Sequence, residues 1–172
     1  MEIRLTWIAA DVMESEVSSA QRRWTLAELE RVLCEKKISG MPVVEGGTLV
    51  GVVSRSDVVR QLVVERARAG EISDYFRNDA GDFEEALSSI TEEEHFVANR
   101  LASLHVEDVM SPPTFVVSST LALPDVAKLL CEHRIHRVPV VDEDRLVGII
   151  SSLDIVGMVA GGTLSLPPRA ER

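Results

Sequence analysis

The chain has 172 residues and a mass of 18.9 kDa, enough for one domain or two small ones with a substantial core. An apolar share of 45% beside 27% charged residues is that of a globular protein and excludes collagen-like or wholly disordered chains. With 18 basic against 28 acidic residues the net charge is −10, a field that repels phosphate backbones and anionic lipid, so neither nucleic acid nor a membrane surface is an expected partner.

In chain order, Asp11-Val12-Met13 and Glu14-Ser15-Glu16-Val17 come first. Thr25-Leu26-Ala27-Glu28 has the form of a capping box, and Leu26, Leu29, Val32 and Leu33 recur at helical spacing to about Lys36. Met41-Pro42-Val43-Val44 is a β-branched strand, Glu45-Gly46-Gly47 a hairpin turn, and Leu49 to Val53 a second strand, apolar throughout and so buried on both faces. A helix starts near Ser56-Asp57 and runs to about Ala69, where Gly70 can close it.

Residues 65–107 hold 11 acidic and 4 basic side chains, so −7 of the total charge sits there. Asp74 to Asp82 reads as a mobile acidic loop. A helix follows from about Asp82 to Leu104, with Phe83, Leu87, Ile90, Val97, Leu101 and Leu104 as its seam. Both packing on the protein's own surface and contact with a partner fit that seam. After Asp108-Val109-Met110 comes a short strand at Phe115-Val116-Val117. Pro124 then pre-sets the first turn of a helix whose apolar face is Leu123, Val126, Leu129 and Leu130. Gly161 to Arg172, with Pro167-Pro168, reads as a frayed tail.

A shift of 97 residues lays the chain on itself without a gap. It aligns Asp11-Val12-Met13 with Asp108-Val109-Met110, Pro42-Val43-Val44 with Pro139-Val140-Val141, Ser54 with Ser151 and Asp57 with Asp154. Two copies of one unit are present. The motif Ile38-Ser39-Gly40-Met41-Pro42-Val43-Val44 … Gly51-Val52-Val53-Ser54-Arg55-Ser56-Asp57 resembles a cystathionine-β-synthase (CBS) domain. So does Ile135-His136-Arg137-Val138-Pro139-Val140-Val141-Asp142 … Gly148-Ile149-Ile150-Ser151-Ser152-Leu153-Asp154. The resemblance implies an α/β fold of two βαββα repeats related by a pseudo-two-fold axis. The expected division is repeat 1 at 8–65, an acidic helical insertion at 66–107, repeat 2 at 108–160 and a flexible tail at 161–172. It further implies two clefts that often bind adenosine nucleotides, a regulatory role, and dimerisation through helix faces.

The candidate site residues follow from the Gly-x-x-Ser-x-x-Asp motif. Gly51 and Gly148 let the strand pass close to another group. Ser54 and Ser151 stand where a strand hands over to a helix, whose free amides favour a phosphate. Asp57 and Asp154, with Ser56 beside the first, lie in the first helical turn, where a carboxylate is favoured and suits a ribose diol. The same Ser and Asp also suit plain helix caps, and replacing either Asp is expected to leave the fold intact. The resemblance points to His136 and Arg137 as phosphate contacts, Arg137 offering bidentate donors, with Arg55 a further candidate. It points to Met41 and Val138 as walls for the base, with Thr114 and Phe115 bordering the Asp57 cleft. Glu14 and Glu16 fall at the Asp154 cleft, where they would repel a triphosphate, so the Asp57 cleft is the expected adenosine site, though with fewer phosphate donors of its own.

Cys131, His133 and His136 invite a metal reading, but the histidines belong to one copy only, and Cys131 falls on the apolar helix stripe beside Leu130. Two cysteines are too few for a disulfide framework, no apolar run approaches the ~18 residues of a membrane span, and no basic stretch leads into a signal core. The expected compartment is the cytoplasm. No Gly-x-Ser-x-Gly, Walker A loop or His-Glu-x-x-His is present, so an enzyme is not expected. The expected function is a non-catalytic regulatory module for an adenosine nucleotide (AMP, ADP or ATP, S-adenosylmethionine less so), a homodimer acting on some regulated protein. The alternative is an interaction or dimerisation module with vestigial clefts.

Overall fold

The computed structural model describes residues 7–77, 99–100 and 102–163. Two compact units divide the chain out of sequence order. Unit 1 comprises Met1–Ser18, Gly46–Leu49 and Pro113–Arg172, and unit 2 comprises Ser19–Glu45 and Val50–Pro112. The leading segment of each repeat thus belongs with the body of the other repeat.

Unit 2 is built from β1 (Ala20–Gln21), α1 (Leu26–Glu35), β2 (Gly40–Glu45), most of β3 (Thr48–Ser54), α2 (Arg55–Arg77) and a short helix α3 (Val106–Val109). The Thr25 box forms as expected: the Glu28 amide donates to Thr25 Oγ1 at 3.2 Å and the Thr25 amide to Glu28 Oε2 at 2.8 Å. Below it α1 buries Leu26, Leu29 and Leu33. Strand β1, too short to stand out in the sequence, runs parallel to β2 with Ala20 opposite Val43.

Helix α2 does not close at Gly70 but continues to Arg77, which corrects the sequence expectation. A glycine inside a helix costs only about 1 kcal/mol, and good helix formers flank it, Ala67 and Ala69 before and Glu71 after. Residues 74–77, expected in a loop, are therefore its last turn. Residues 78–98 and 101, the rest of the expected loop and most of the helix expected from Asp82, lie outside the described residues; 99–100 and 102–103 are helical, and Leu104 is buried in the core of unit 2. Glu65 of α2 is buried too. Its carboxylate accepts from Gln61 at 2.8 Å, Arg68 at 3.0 Å and Arg100 at 3.5 Å.

Unit 1 contains a 3₁₀ turn (Ala9–Asp11), α4 (Leu123–Glu132), β4 (Arg137–Asp142), β5 (Arg145–Ser151) and α5 (Ser152–Ala160). β4 and β5 are antiparallel, pairing Val138 with Ile150 and Val140 with Gly148. Of the strand expected at Phe115-Val116-Val117 only a parallel bridge from Val117 to Val140 forms. It is the counterpart of Ala20 opposite Val43. The hairpin turns match as well: Gly46 and Gly47 have φ of 59° and 89°, and Glu143 and Asp144 take 49° and 64° in the other copy.

The two cores repeat position by position. Ala20, Leu26, Leu29, Leu33, Met41, Val43, Val53 and Val106 are buried in unit 2; Val117, Leu123, Val126, Leu130, Val138, Val140, Ile150 and Ala9 are their counterparts in unit 1. Each fully buried Val, Leu, Ile or Met side chain among them stabilises by about 1.5–3 kcal/mol. Val106 and Ala9 carry the exchanged leading segments. The amides of Val106 and Glu107 donate to Trp24 O and Arg22 O at 2.8 and 3.0 Å, those of Ala9 and Ala10 to Leu121 O and Ser119 O at 2.8 Å each. In unit 2 Arg22 adds ion pairs to Glu45 at 3.3 Å and Glu107 at 3.1 Å.

Candidate ligand-binding sites

In each repeat the last strand residue is the serine of the motif, and the chain turns there into a helix. Ser151 caps α5 in a full box: its amide and hydroxyl donate to Asp154 Oδ2 at 2.6 and 2.7 Å, and the Asp154 amide donates back to Ser151 Oγ at 3.3 Å. At α2 the Ser54 amide and hydroxyl donate to Asp57 Oδ2 at 2.8 and 2.7 Å. The motif is therefore a cap in both copies, which leaves Oδ1 as the oxygen able to receive a ligand hydroxyl. Asp57 Oδ1 already accepts from Arg60 Nη1 at 2.9 Å. Asp154 Oδ1 has no partner among the described residues.

Unit 2 thus holds Met41, Ser54, Arg55, Ser56 and Asp57, and unit 1 holds Thr114, Phe115, His136, Arg137, Val138, Ser151 and Asp154. Thr114 and Phe115 share a unit with Asp154. From the same entry segment unit 2 takes Ser111 and Pro112, and Ser111 and Val52 exchange backbone hydrogen bonds of 2.9 Å. The counterpart in unit 1 is Glu14 with Ile149, at 2.9 and 3.0 Å, two residues before Ser151. Glu14 Oε1 accepts from the Glu16 amide at 2.9 Å. An acidic residue is therefore paired through its backbone with the strand that leads to the Asp154 cap.

Met41 and Val138 are buried in the cores of their own units, so their side chains contribute to packing. Arg55 folds onto α1: Nη2 lies 3.0 Å from Cys34 Sγ, and Nε stands 3.3 Å from Glu30 Oε1 but is too poorly aligned for a hydrogen bond. Ser56, Thr114, His136 and Arg137 are exposed. His136 holds the start of α5 through its carbonyl, which accepts from the Ser152 amide at 3.0 Å. Phe115 is half-buried and stacks on His133, ring centroids 4.1 Å apart at 30°. Cys131 is exposed rather than on the buried stripe. Leu123, Val126 and Leu130 form the buried stripe, and one further residue turns the helix about 100° away.

Two residues at these sites escaped the motif reading. Arg60 was legible as an i, i+3 partner of Asp57. The stacking of His133 on Phe115 had no sequence signal, since it joins a loop to a helix end.

Chemically, each repeat offers a serine at a helix start and an aspartate able to accept hydroxyls, in a βαββα unit. This defines a tandem α/β repeat protein with duplicated polar caps. The CBS domain family model matches residues 9–64 and 106–161, and the chain belongs to that family. The uncharacterized protein MJ1426 of Methanocaldococcus jannaschii is 30% identical over 135 residues, 76% of this chain and 79% of that protein. The chloroplastic CBS domain-containing protein CBSX2 of Arabidopsis thaliana is 33% identical over 130 residues, 73% of this chain and 51% of that one. The crystal structure of CBSX2 in complex with AMP superposes with a TM-score of 0.64 at 25% identity, covering 92% of this chain and 99% of that one. Among the described residues, no helix is long and apolar enough to cross a membrane.

Proposed function

We propose that this protein is a non-catalytic regulatory module that binds an adenosine nucleotide at the Ser–Asp caps of its repeats and signals occupancy by conformational change. The observation that carries the reading is Asp154: its Oδ2 is held by Ser151 while its Oδ1 is left for a ribose hydroxyl, in a unit that also holds His136 and Arg137. The AMP complex of a related CBS protein supports the ligand class. AMP is favoured over ADP and ATP because the −10 net charge and Glu14 penalise each added phosphate. S-adenosylmethionine ranks below them. The module acts in the cytoplasm as a homodimer, joined through the exposed apolar faces of α2 and α5, on a regulated protein elsewhere.

Calorimetry on the full chain with adenosine, AMP, ADP, ATP and S-adenosylmethionine tests this. AMP is expected to bind at least as tightly as ATP, and Asp154→Ala to weaken its site roughly ten- to a hundredfold. Absence of heat with every ligand would overturn the reading. It would promote a second one, favoured by the capping geometry itself: a dimerisation module in which Ser54, Asp57, Ser151 and Asp154 serve only the helix starts.

A further inference from the structure

We propose that Arg60 makes the two repeats unequal by occupying the oxygen of Asp57 that a ribose would need, so that the Asp154 site fills first. This rests on the adenosine reading above and adds the determinant of site order. In both repeats the serine amide and hydroxyl claim Oδ2 of the aspartate, at 2.8 and 2.7 Å around Asp57 and at 2.6 and 2.7 Å around Asp154. Ligand hydroxyls must then compete for Oδ1. At Asp57 that oxygen carries Arg60 Nη1 at 2.9 Å.

The arginine comes from the solvent side: its side chain is 70% exposed while that of Asp57 is 12% exposed. It therefore covers the open face of the carboxylate. The 97-residue shift places Gly157 where Arg60 stands, and glycine has no side chain to reach Asp154. The asymmetry is thus a property of one residue, one helical turn from the cap, on a backbone otherwise repeated. For adenosine it reverses the order expected from the sequence, in which the Asp57 cleft came first. An exposed ion pair is weak, so Arg60 delays occupancy of its site rather than blocking it.

Calorimetric titration of the full chain with adenosine and with AMP tests the proposal. In an Asp154→Ala background, which isolates the Asp57 site, adding Arg60→Met is expected to tighten both ligands by about two- to fivefold. Because the contest is for a ribose contact, uncharged adenosine should gain as much as AMP. If Asp154→Ala folds poorly, Arg60→Met alone serves, narrowing the ratio of the two affinities measured for the otherwise unchanged chain. Unchanged affinities would overturn the proposal and leave the ligand reading standing. So would a loss confined to AMP, which would make Arg60 a phosphate donor. No binding of either ligand to any form would overturn the ligand reading, and this proposal with it.

Discussion

Met13 lies across Gly148: a β-carbon on that glycine would stand 2.8 Å from the methionine Cγ and 3.0 Å from its Cβ. Met110 lies across Gly51 in the same way, 2.8 Å from Sδ and 3.3 Å from Cγ, with Ser111 O at 3.1 Å. The glycine of each Gly-x-x-Ser-x-x-Asp motif is therefore the seat of a leading segment, three residues ahead of the serine. Seat and cap thus lie on one strand in each repeat.

Gly148→Ala is expected to destabilise unit 1 by about 1–3 kcal/mol, because the added carbon meets atoms close to the Met13 backbone. Gly51→Ala should cost less on the methionine side, since there the nearest atom is a flexible Sδ. Chemical denaturation of Gly148→Ala, Met13→Ala and the double variant would show positive coupling. Strict additivity would count against the seat.

The caps have their own cost. Sequence alone led to the expectation that Asp57 or Asp154 could be removed with the fold intact, but each aspartate holds two hydrogen bonds at a helix start. Asp154→Ala and Ser151→Ala should each lower stability by about 0.5–2 kcal/mol. Thermal unfolding checks this, and an unchanged melting temperature in both would contradict the geometry.

Helix α2 exposes Val59 and Val63 at 57% and 62%, and α5 exposes Leu153 and Val156 at 74% and 58%. Uncovered apolar side chains in such number suit a two-fold partner. Light scattering should give about twice 18.9 kDa, and Val59→Glu with Leu153→Glu should give the monomer mass. A monomer at high concentration for the unaltered chain would refute the assembly.

Two carboxylates link the fold to pH. Hydrogen bonds from the Thr25 backbone and hydroxyl hold Glu28 below its ordinary 4.5, and those from Ser119, side chain then backbone, hold Asp142 below 3.8. The unfolded chain takes up these protons at the ordinary values and the folded chain only at lower pH. Their contribution is thus complete above the ordinary values and lost as pH falls through the lowered ones. Melting temperatures followed from pH 7 to pH 3 should drop less steeply for Glu28→Gln and for Asp142→Asn than for the unaltered chain. Parallel curves would count against both pairs.

Features that depend on neighbours along the chain were legible in the amino-acid order. The Thr25–Glu28 box, the Gly46-Gly47 turn, the apolar face of α1 and the 97-residue repeat all rest on hydrogen bonds or periodicities spanning a few residues, so composition and spacing suffice. The Ser–Asp motif was legible for the same reason, its members being three residues apart.

The remaining features depend on contacts between residues far apart in the chain. Nothing local tells Val106 to pack with Leu26 and Leu29, or Ala9 with Leu123 and Val126, because the two copies offer the same core and the same carbonyls to either segment. Strand β1 exists because β2 supplies its hydrogen bonds, and Cys131 is exposed because three other side chains of its helix fill the core. Whether an aspartate is free to take a ligand depends likewise on a third residue. Arg60 holds Asp57, and Gly157 leaves Asp154 open, although the motif itself is the same in both repeats.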